Sequence, residues 1–168
     1  MVGVVAVAAV AFGEEASYRG YPIKNLAEGV ARARWGMVIA VVIPAVYFGL
    51  AHATNPNTTW LTVFNIVIFG LLFGTGYVLT GELALPIGLH FGWDFVQGFV
   101  FGVVASGKQY GSVLVLADDP SAGLWTGRPY EGGLLGTAAF IAGFLATFAW
   151  ARSQHRLALQ VTPPHPSN

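Results

Sequence analysis

Five apolar segments dominate the sequence, and each is long enough, or nearly long enough, to cross a lipid bilayer. The first, MVGVVAVAAVAFG, begins at the first residue, and the others cover residues 35–52, 60–80, 83–104 and 132–150. Crossing the hydrocarbon takes about 20 mainly apolar residues in a helix. Because backbone polar groups in lipid must bond within the protein, these segments should be helical. The sequence therefore predicts an all-α, polytopic transmembrane helix bundle with about five spanning helices.

The composition agrees with a membrane protein. Charged residues make up 10% of the chain, whereas soluble domains average about 25%. The formal net charge is zero, so nothing indicates a nucleic-acid partner. The chain has no cysteine, which excludes disulfides, thiolate nucleophiles and cysteine-based zinc sites. No secretory signal peptide is expected, because the first segment lacks a basic start.

The segments between the predicted spans are polar. Residues 22–34, PIKNLAEGVARAR, could lie on the membrane surface as a short interfacial helix. Residues 105–131 are too polar to cross, and three prolines oppose helix in the last residues. We therefore expect residues 1–152 to form one transmembrane core and residues 153–168 to form a polar, disordered tail.

The basic residues predict an orientation. With five spans, the first connection and the tail lie on the same side, and this side holds six of the eight basic residues: Arg19, Lys24, Arg32, Arg34, Arg152 and Arg156. The other two, Lys108 and Arg128, lie on the opposite side. Basic residues concentrate in cytoplasmic loops, which predicts that the first connection and the tail are cytoplasmic and the amino terminus is outside.

Few ionisable residues remain inside the apolar segments. A charge at membrane depth costs roughly 2.5 kcal/mol or more, so it needs a partner or a function. These residues are Glu14, Glu15, Arg19, His52, His90 and Asp94. Helical residues four apart share a face. Glu15 should therefore pair with Arg19, while Glu14 has no cation on its own helix. The same spacing places Phe48 beside His52, and His90 beside Asp94.

Each of these residues also has a purely structural interpretation. A lone glutamate–arginine pair in a helix is most often a structural tie, and Asp94 could merely orient His90. A lone intramembrane histidine is as often a helix–helix hydrogen bond as a functional group. However, three separate apolar helices each carry an acid or a histidine. A carboxylate with histidines suits the activation of water, either as a general base or through a metal ion.

Three motifs on successive apolar helices carry a family resemblance. EEASYR, FGLAH and HFGWD resemble, in this order, the motifs EExxxR, FxxxH and HxxxN/D of the CPBP family of intramembrane endopeptidases. This family, also called the ABI family, includes the Rce1-type CAAX prenyl proteases. The resemblance covers roughly residues 1 to 150. It implies a protease that hydrolyses peptide bonds in or at the membrane, with residues 1–152 as its catalytic core.

The resemblance also implies a role for each candidate residue. Glu14 would be the general base that activates water, aided by His52, and His90 and Asp94 would stabilise the oxyanion. The supporting residues would be Glu15, Arg19 and Phe48.

Asp94 stands where asparagine is common in the family. An ionised aspartate would repel an oxyanion, so Asp94 must carry a proton, orient His90 or bind a metal. We expect no cofactor. Zinc is the alternative, and its ligands would then be Glu14, His52, His90 and Asp94.

The expected partners are a membrane-associated peptide or protein substrate and the lipid bilayer, and the expected location is a prokaryotic cytoplasmic membrane. The motifs do not imply a prenylated substrate, and they leave the oligomeric state open. A non-enzymatic immunity or scaffold protein of the same fold is an alternative. A small proton-coupled transporter is less favoured, because no inverted repeat is present.

The predicted depths of the candidate residues conflict with a single site. At about 1.5 Å per residue, Glu14 and His90 both lie roughly 10 Å from the cytoplasmic face. His52 ends its span and is therefore expected near the opposite face. A single site would require a second helix that is tilted, starts deep in the membrane, or is broken at Pro44.

Overall fold

The structure is a computed structural model that describes residues 2–30, 32–103, 112–114, 123 and 132–153. Within these residues the chain is helical and has no strand, which confirms the predicted all-α bundle. The described part contains five helical rods, close to the five predicted spans. Most of the connection over 105–131, and the predicted tail after Ser153, lie outside the described residues.

The first rod is longer than predicted. It consists of α1 (Val2–Glu15), the π-helical turn π1 (Ala16–Gly20) and α2 (Tyr21–Gly29), and the backbone stays helical at both junctions. Pro22 has no N–H to donate, and the wider π turn lies directly before it. The possible short helix predicted within residues 22–34 is thus present as α2, directly continuous with the first rod, and its position at the membrane surface stays a prediction.

The second rod, α3 (Gly36–Ala51), follows a tight turn and packs against α2. It is one uninterrupted helix that contains Pro44, so the break at this proline, one of the three alternatives for the second helix, is not present.

The third rod, α4 (Trp60–Thr80), coincides with a predicted span. Thr59 caps its start by accepting a hydrogen bond from the Thr62 backbone N–H at 3.1 Å. Gly81 ends it with a φ of 73°, a left-handed conformation that glycine adopts without strain.

The remaining rods complete the bundle. The fourth is α5 (Ala84–Asp94), which continues as the π-helical turn π2 (Phe95–Val100), and the fifth is α6 (Leu134–Ser153). Among the described helices, α4 and α6 are long and apolar enough to cross a membrane, and α3 is apolar but shorter.

Glycines let α3 and α4 approach closely. A Cβ atom added to Gly70 would lie 3.0 Å from the Cα atom of Ala45, and one added to Gly74 would lie 3.1 Å from a methyl group of Val41. Close backbone approach at small residues is the usual way in which membrane helices pack. It places the carboxyl end of α3, with Phe48 and His52, beside the core of α4.

Buried Asn65 ties α4 to the start of α6. Its side-chain amide donates to the carbonyl of Gly133 at 3.1 Å, and the Thr137 hydroxyl donates to its carbonyl oxygen at 2.6 Å. Asn65 is 0% exposed, so these bonds satisfy a polar group that would otherwise be costly to bury.

The first rod changes its neighbours halfway along. α1 packs against α5 and π2, whereas α2 packs against α3. The main core cluster is mostly aromatic and joins three rods through Phe48, Ile66, Phe69, Leu72, Phe73 and Phe140. The candidate residues gather beside this cluster, where the first rod passes from one neighbour to the other.

Candidate active site

The ion pair of the first rod is completely buried. Arg19 donates from Nη1 to Oε1 of Glu15 at 2.9 Å, and their side chains are 1% and 0% exposed. The guanidinium carbon lies 4.0 Å from the centre of the Phe48 ring and 5.4 Å from that of Phe73. Aromatic faces stabilise a cation at this range. Arg19 is therefore held by one carboxylate and two rings from neighbouring rods.

Glu15 has a second partner that the sequence did not indicate. Its Oε1 atom also accepts a hydrogen bond from Nδ1 of His90 at 2.8 Å. His90 is 2% exposed, and its ring packs against Phe73 and Phe69 at centroid distances of 5.4 and 5.7 Å. Because Nδ1 is committed to Glu15, Nε2 is the nitrogen that remains for chemistry. Glu15 thus links the ion pair on the first rod to the histidine on α5.

Glu14 lies between the two histidines. Its Oε2 atom is 3.8 Å from Nε2 of His90 and 4.0 Å from Nε2 of His52. These distances exceed those of direct hydrogen bonds and suit a bridging water. The Glu14 side chain is 24% exposed, whereas that of Glu15 is 0% exposed. Of the two adjacent acids, Glu14 is therefore the partly exposed one and Glu15 the buried one.

His52 reaches Glu14 from the carboxyl end of α3. Its Nδ1 donates to the carbonyl of Phe48 at 2.8 Å, and its ring lies 4.5 Å from the Phe48 ring. Helical side chains lean toward the amino terminus of their helix, which brings the imidazole back over Phe48. Because a carbonyl can only accept, Nδ1 carries a proton, and Nε2 is the ring atom that faces Glu14.

The expected position of His52 near the opposite face is wrong. The predicted depths require the first helix to end shortly after Arg19, but the first rod continues to Gly29. About 22 Å of helix separates Glu14 from Gly29, and about 24 Å separates Gly36 from His52, at about 1.5 Å per residue. Since α3 runs back along α2, the two residues arrive at the same level.

Asp94 lies beside His90, as their spacing predicts. Its Oδ2 atom is 3.5 Å from Nε2 of His90, and the residue is 4% exposed. Both Glu14 and Asp94 therefore face the same imidazole nitrogen, while Glu15 holds the other. Three carboxylates therefore lie within 4 Å of the His90 ring nitrogens.

α1 and α5 both change to π-helix directly after their candidate residues. π1 begins one residue after Glu15, and π2 begins one residue after Asp94. Short π segments inside helices occur frequently at functional sites. Sequence periodicity did not indicate them, and Pro22 was the one local signal of an irregular turn.

Three pairs of donor atoms in the cluster are farther apart than the ligand atoms of a closed zinc site. In a tetrahedral zinc site with bonds of about 2.0 Å, neighbouring ligand atoms lie roughly 3.3 Å apart. Here the distances are 4.0 Å for Glu14–His52, 3.8 Å for Glu14–His90 and 3.5 Å for His90–Asp94. Although several such side chains lie close together, no group of three or more within the described ranges has the placement that could hold a metal ion.

The fold and site together define an all-helical membrane bundle that buries a cluster of carboxylates and imidazoles. A comparison with protein families matches residues 1–96, more than half of the chain, to the family model of the Rce1-like type II CAAX prenyl endopeptidases. The protein therefore belongs to the Rce1-like family, a family of membrane-embedded CAAX-type endopeptidases. All the candidate site residues lie inside the matched segment. Comparisons with curated proteins and with solved structures found no match.

Proposed function

We propose that this protein is a multi-pass membrane endopeptidase in which Glu14 activates the attacking water. The observation that carries the proposal is the position of Glu14 Oε2, 3.8 Å from one imidazole nitrogen and 4.0 Å from another. Its neighbour Glu15 is committed to Arg19 and His90. Glu14 is thus the carboxylate that is both accessible and flanked by proton-binding groups.

In the proposed reaction, a water lies between Glu14 and the Nε2 atom of His52. Glu14 takes one proton from this water while the oxygen attacks the scissile carbonyl carbon. The Nε2 atom of His52 accepts a hydrogen bond from the second O–H of this water, because the proton of the imidazole is on Nδ1, where it is donated to the backbone carbonyl of Phe48. When the tetrahedral intermediate collapses, the proton on Glu14 passes to the leaving nitrogen and the C–N bond breaks.

The oxyanion is assigned to His90 and Asp94. As an imidazolium, His90 donates from Nδ1 to Glu15 and from Nε2 to the oxyanion. Asp94 lies next to the same Nε2 atom and donates to the oxyanion when it carries a proton. Fixed donors of this kind stabilise developing charge strongly in a site that excludes water.

We favour a reaction without a metal ion. The donor spacing supports this choice, because the ligand atoms are farther apart than in a closed zinc site. The proposed substrates are membrane-associated peptides or proteins. The proposed location is a prokaryotic cytoplasmic membrane, and the basic residues support an orientation with the first connection and the tail on the cytoplasmic side.

The test is a cleavage assay with purified protein in proteoliposomes. A library of membrane peptides is incubated with wild type, Glu14→Ala and His52→Ala, and the products are identified by mass spectrometry. Each enzyme is assayed with and without a chelator. We expect cleavage by the wild type, little by either variant, and no effect of the chelator. Cleavage by folded Glu14→Ala would refute the assignment of the base, and zinc-reversible loss with the chelator would refute the metal-free reaction.

A further inference from the structure

Two tyrosines lie in contact at the exposed side of the proposed site. The rings of Tyr18 on π1 and Tyr47 on α3 are 5.8 Å apart, and Tyr18 also packs edge to face on Phe48 at 5.0 Å. The first rod carries Glu14 one turn before Tyr18, and α3 ends just before His52. This tyrosine pair, Tyr18 and Tyr47, therefore joins the two rods that bring the proposed base and His52 together.

Electrostatic interactions connect the tyrosine pair to Glu14. The phenol of Tyr18 interacts with the Glu14 carboxylate and with the phenol of Tyr47. The Glu14 side chain is 24% exposed, Tyr18 is half-buried, and Tyr47 is 64% exposed. A molecule that approaches the Glu14 carboxylate along this side of the bundle therefore meets Tyr47 on the way.

Tyr47 is polar on a face of α3 that is otherwise aliphatic. The other large exposed side chains of this helix are Val38, Ile39, Val42, Ile43, Val46 and Leu50. In the proposed membrane orientation, Tyr47 lies about 16 Å from the start of α3, at about 1.5 Å per residue. This is near the middle of a hydrocarbon layer about 30 Å thick, whereas tyrosines that face lipid concentrate at its two surfaces. Lipid tails offer no hydrogen-bond partner to a phenol at this depth, but a peptide does.

We propose that Tyr47 binds the substrate by donating a hydrogen bond from its hydroxyl to a backbone carbonyl near the cleaved bond, and that Tyr18 holds the Tyr47 ring in position. The inference rests on the proposed function, because the bound peptide is the substrate of Glu14. The backbone carbonyls of an extended peptide need donors wherever water is excluded. Since the contact is to the backbone, it suits substrates of different sequence, with or without a lipid group.

The test measures kcat and KM on one substrate, the library peptide that the wild type cleaves fastest in proteoliposomes. Tyr47→Phe removes the hydroxyl and keeps the ring. Loss of one neutral hydrogen bond should raise KM by roughly three- to tenfold, with kcat unchanged, because the bond is present in the ground state and the transition state alike. Tyr21→Phe is the matched control and should keep the KM of the wild type, since Tyr21 is a 74% exposed tyrosine on the first rod outside the pair.

Two results would overturn the role of Tyr47. A KM for Tyr47→Phe within about twofold of the wild type would show that the hydroxyl contacts only lipid. A lower kcat at unchanged KM would show that it does not act in binding. Neither result depends on how much of a preparation is folded, because KM is independent of the concentration of active enzyme.

Binding is also measured without cleavage. Glu14→Gln lacks the proposed base, so a fluorescently labelled copy of the same peptide stays intact, and its anisotropy gives Kd. Adding Tyr47→Phe to this variant should weaken Kd by the same factor that it raises KM, whereas adding Tyr21→Phe should leave Kd unchanged. An equal Kd with and without Tyr47→Phe would refute the hydrogen bond.

A double variant tests the positioning role of Tyr18. Tyr18→Leu stays apolar toward Phe48 but removes the ring on which Tyr47 packs, so KM should rise as in Tyr47→Phe. Since Tyr18 acts through the hydroxyl of Tyr47, Tyr18→Leu/Tyr47→Phe should raise KM no further than Tyr47→Phe alone. Increases in KM that multiply in the double variant would exclude this role.

The outcomes separate the tyrosine pair from the proposed function. Cleavage by the wild type with unchanged KM and Kd in Tyr47→Phe refutes the inference and leaves the protease assignment intact. Absence of cleavage for every peptide in the wild type refutes the proposed function and this inference with it.

Discussion

Removing the charge of Glu15 should strongly destabilise the bundle. Glu15 and Arg19 are 0% and 1% exposed, and their pairing distance is 2.9 Å. Glu15→Gln keeps the shape of the side chain and an oxygen that can accept from His90, but it leaves the Arg19 guanidinium buried without a counter-charge. Breaking a buried pair in this way costs about 3–5 kcal/mol. Since about 1.4 kcal/mol is a factor of ten, the folding equilibrium should fall by roughly two to four orders of magnitude.

The double variant Glu15→Gln/Arg19→Met tests the reason for this loss. It removes both charges, so most of the stability should return. A residual loss of about 0.5–2 kcal/mol is expected, because the cation no longer lies over the Phe48 ring at 4.0 Å. The assay is equilibrium unfolding in mixed micelles, followed by tryptophan fluorescence, with exposed Glu28→Gln as control. A loss below about 1 kcal/mol for Glu15→Gln, or a double variant as unstable as the sum of the single ones, would refute the reasoning.

Three further predictions concern packing and the oxyanion site. Gly70→Ala should lower the free energy of unfolding by about 1–3 kcal/mol, because its Cβ would press on the Ala45 backbone. Gly88→Ala is the control and should be neutral or stabilising, since a Cβ there has nothing within 4 Å. Equal melting temperatures for the two variants would contradict this prediction. Asn65→Ala should lower the free energy of unfolding by about 1–3 kcal/mol, because it removes both of these hydrogen bonds to the start of α6. The loss is measured as faster proteolysis of α6. An unchanged proteolysis rate would show that Asn65 does not hold α6 in place. Asp94→Asn should keep kcat within about tenfold of the wild type, because an amide can also donate to the oxyanion. Asp94→Ala should lower kcat by roughly 10²–10³-fold. An equal loss in both variants would exclude the donor role of Asp94.

The positions of the helices follow from the sequence because lipid leaves the backbone few alternatives. Apolar length alone indicated the rods, and α4 begins and ends where the sequence predicts. The pairing of Glu15 with Arg19 also follows from local spacing, since it needs only the geometry of one helix.

Contacts between distant parts of the chain could not be predicted in this way. The bond from His90 to Glu15 joins residues 75 apart, and Phe140 packs against Phe69 from a rod beyond the segment that carries the motifs. The predicted depth of His52 was wrong because a prediction from apolar length ends the first helix where its residues become polar. In the structure the backbone stays helical beyond that point, through π1 and α2. A π turn adds a residue without changing the hydrophobic pattern enough to reveal it.

The role of Glu14 as the base is the central claim, and a single-turnover cleavage rate tests it most directly. Glu14→Gln is compared with Glu28→Gln, which changes an exposed glutamate on the same rod, in samples with matched melting temperatures. A general base contributes roughly 10²–10⁴-fold to the rate, so Glu14→Gln should lose that much while Glu28→Gln cleaves like the wild type. A Glu14→Gln rate within about threefold of the wild type would contradict the account.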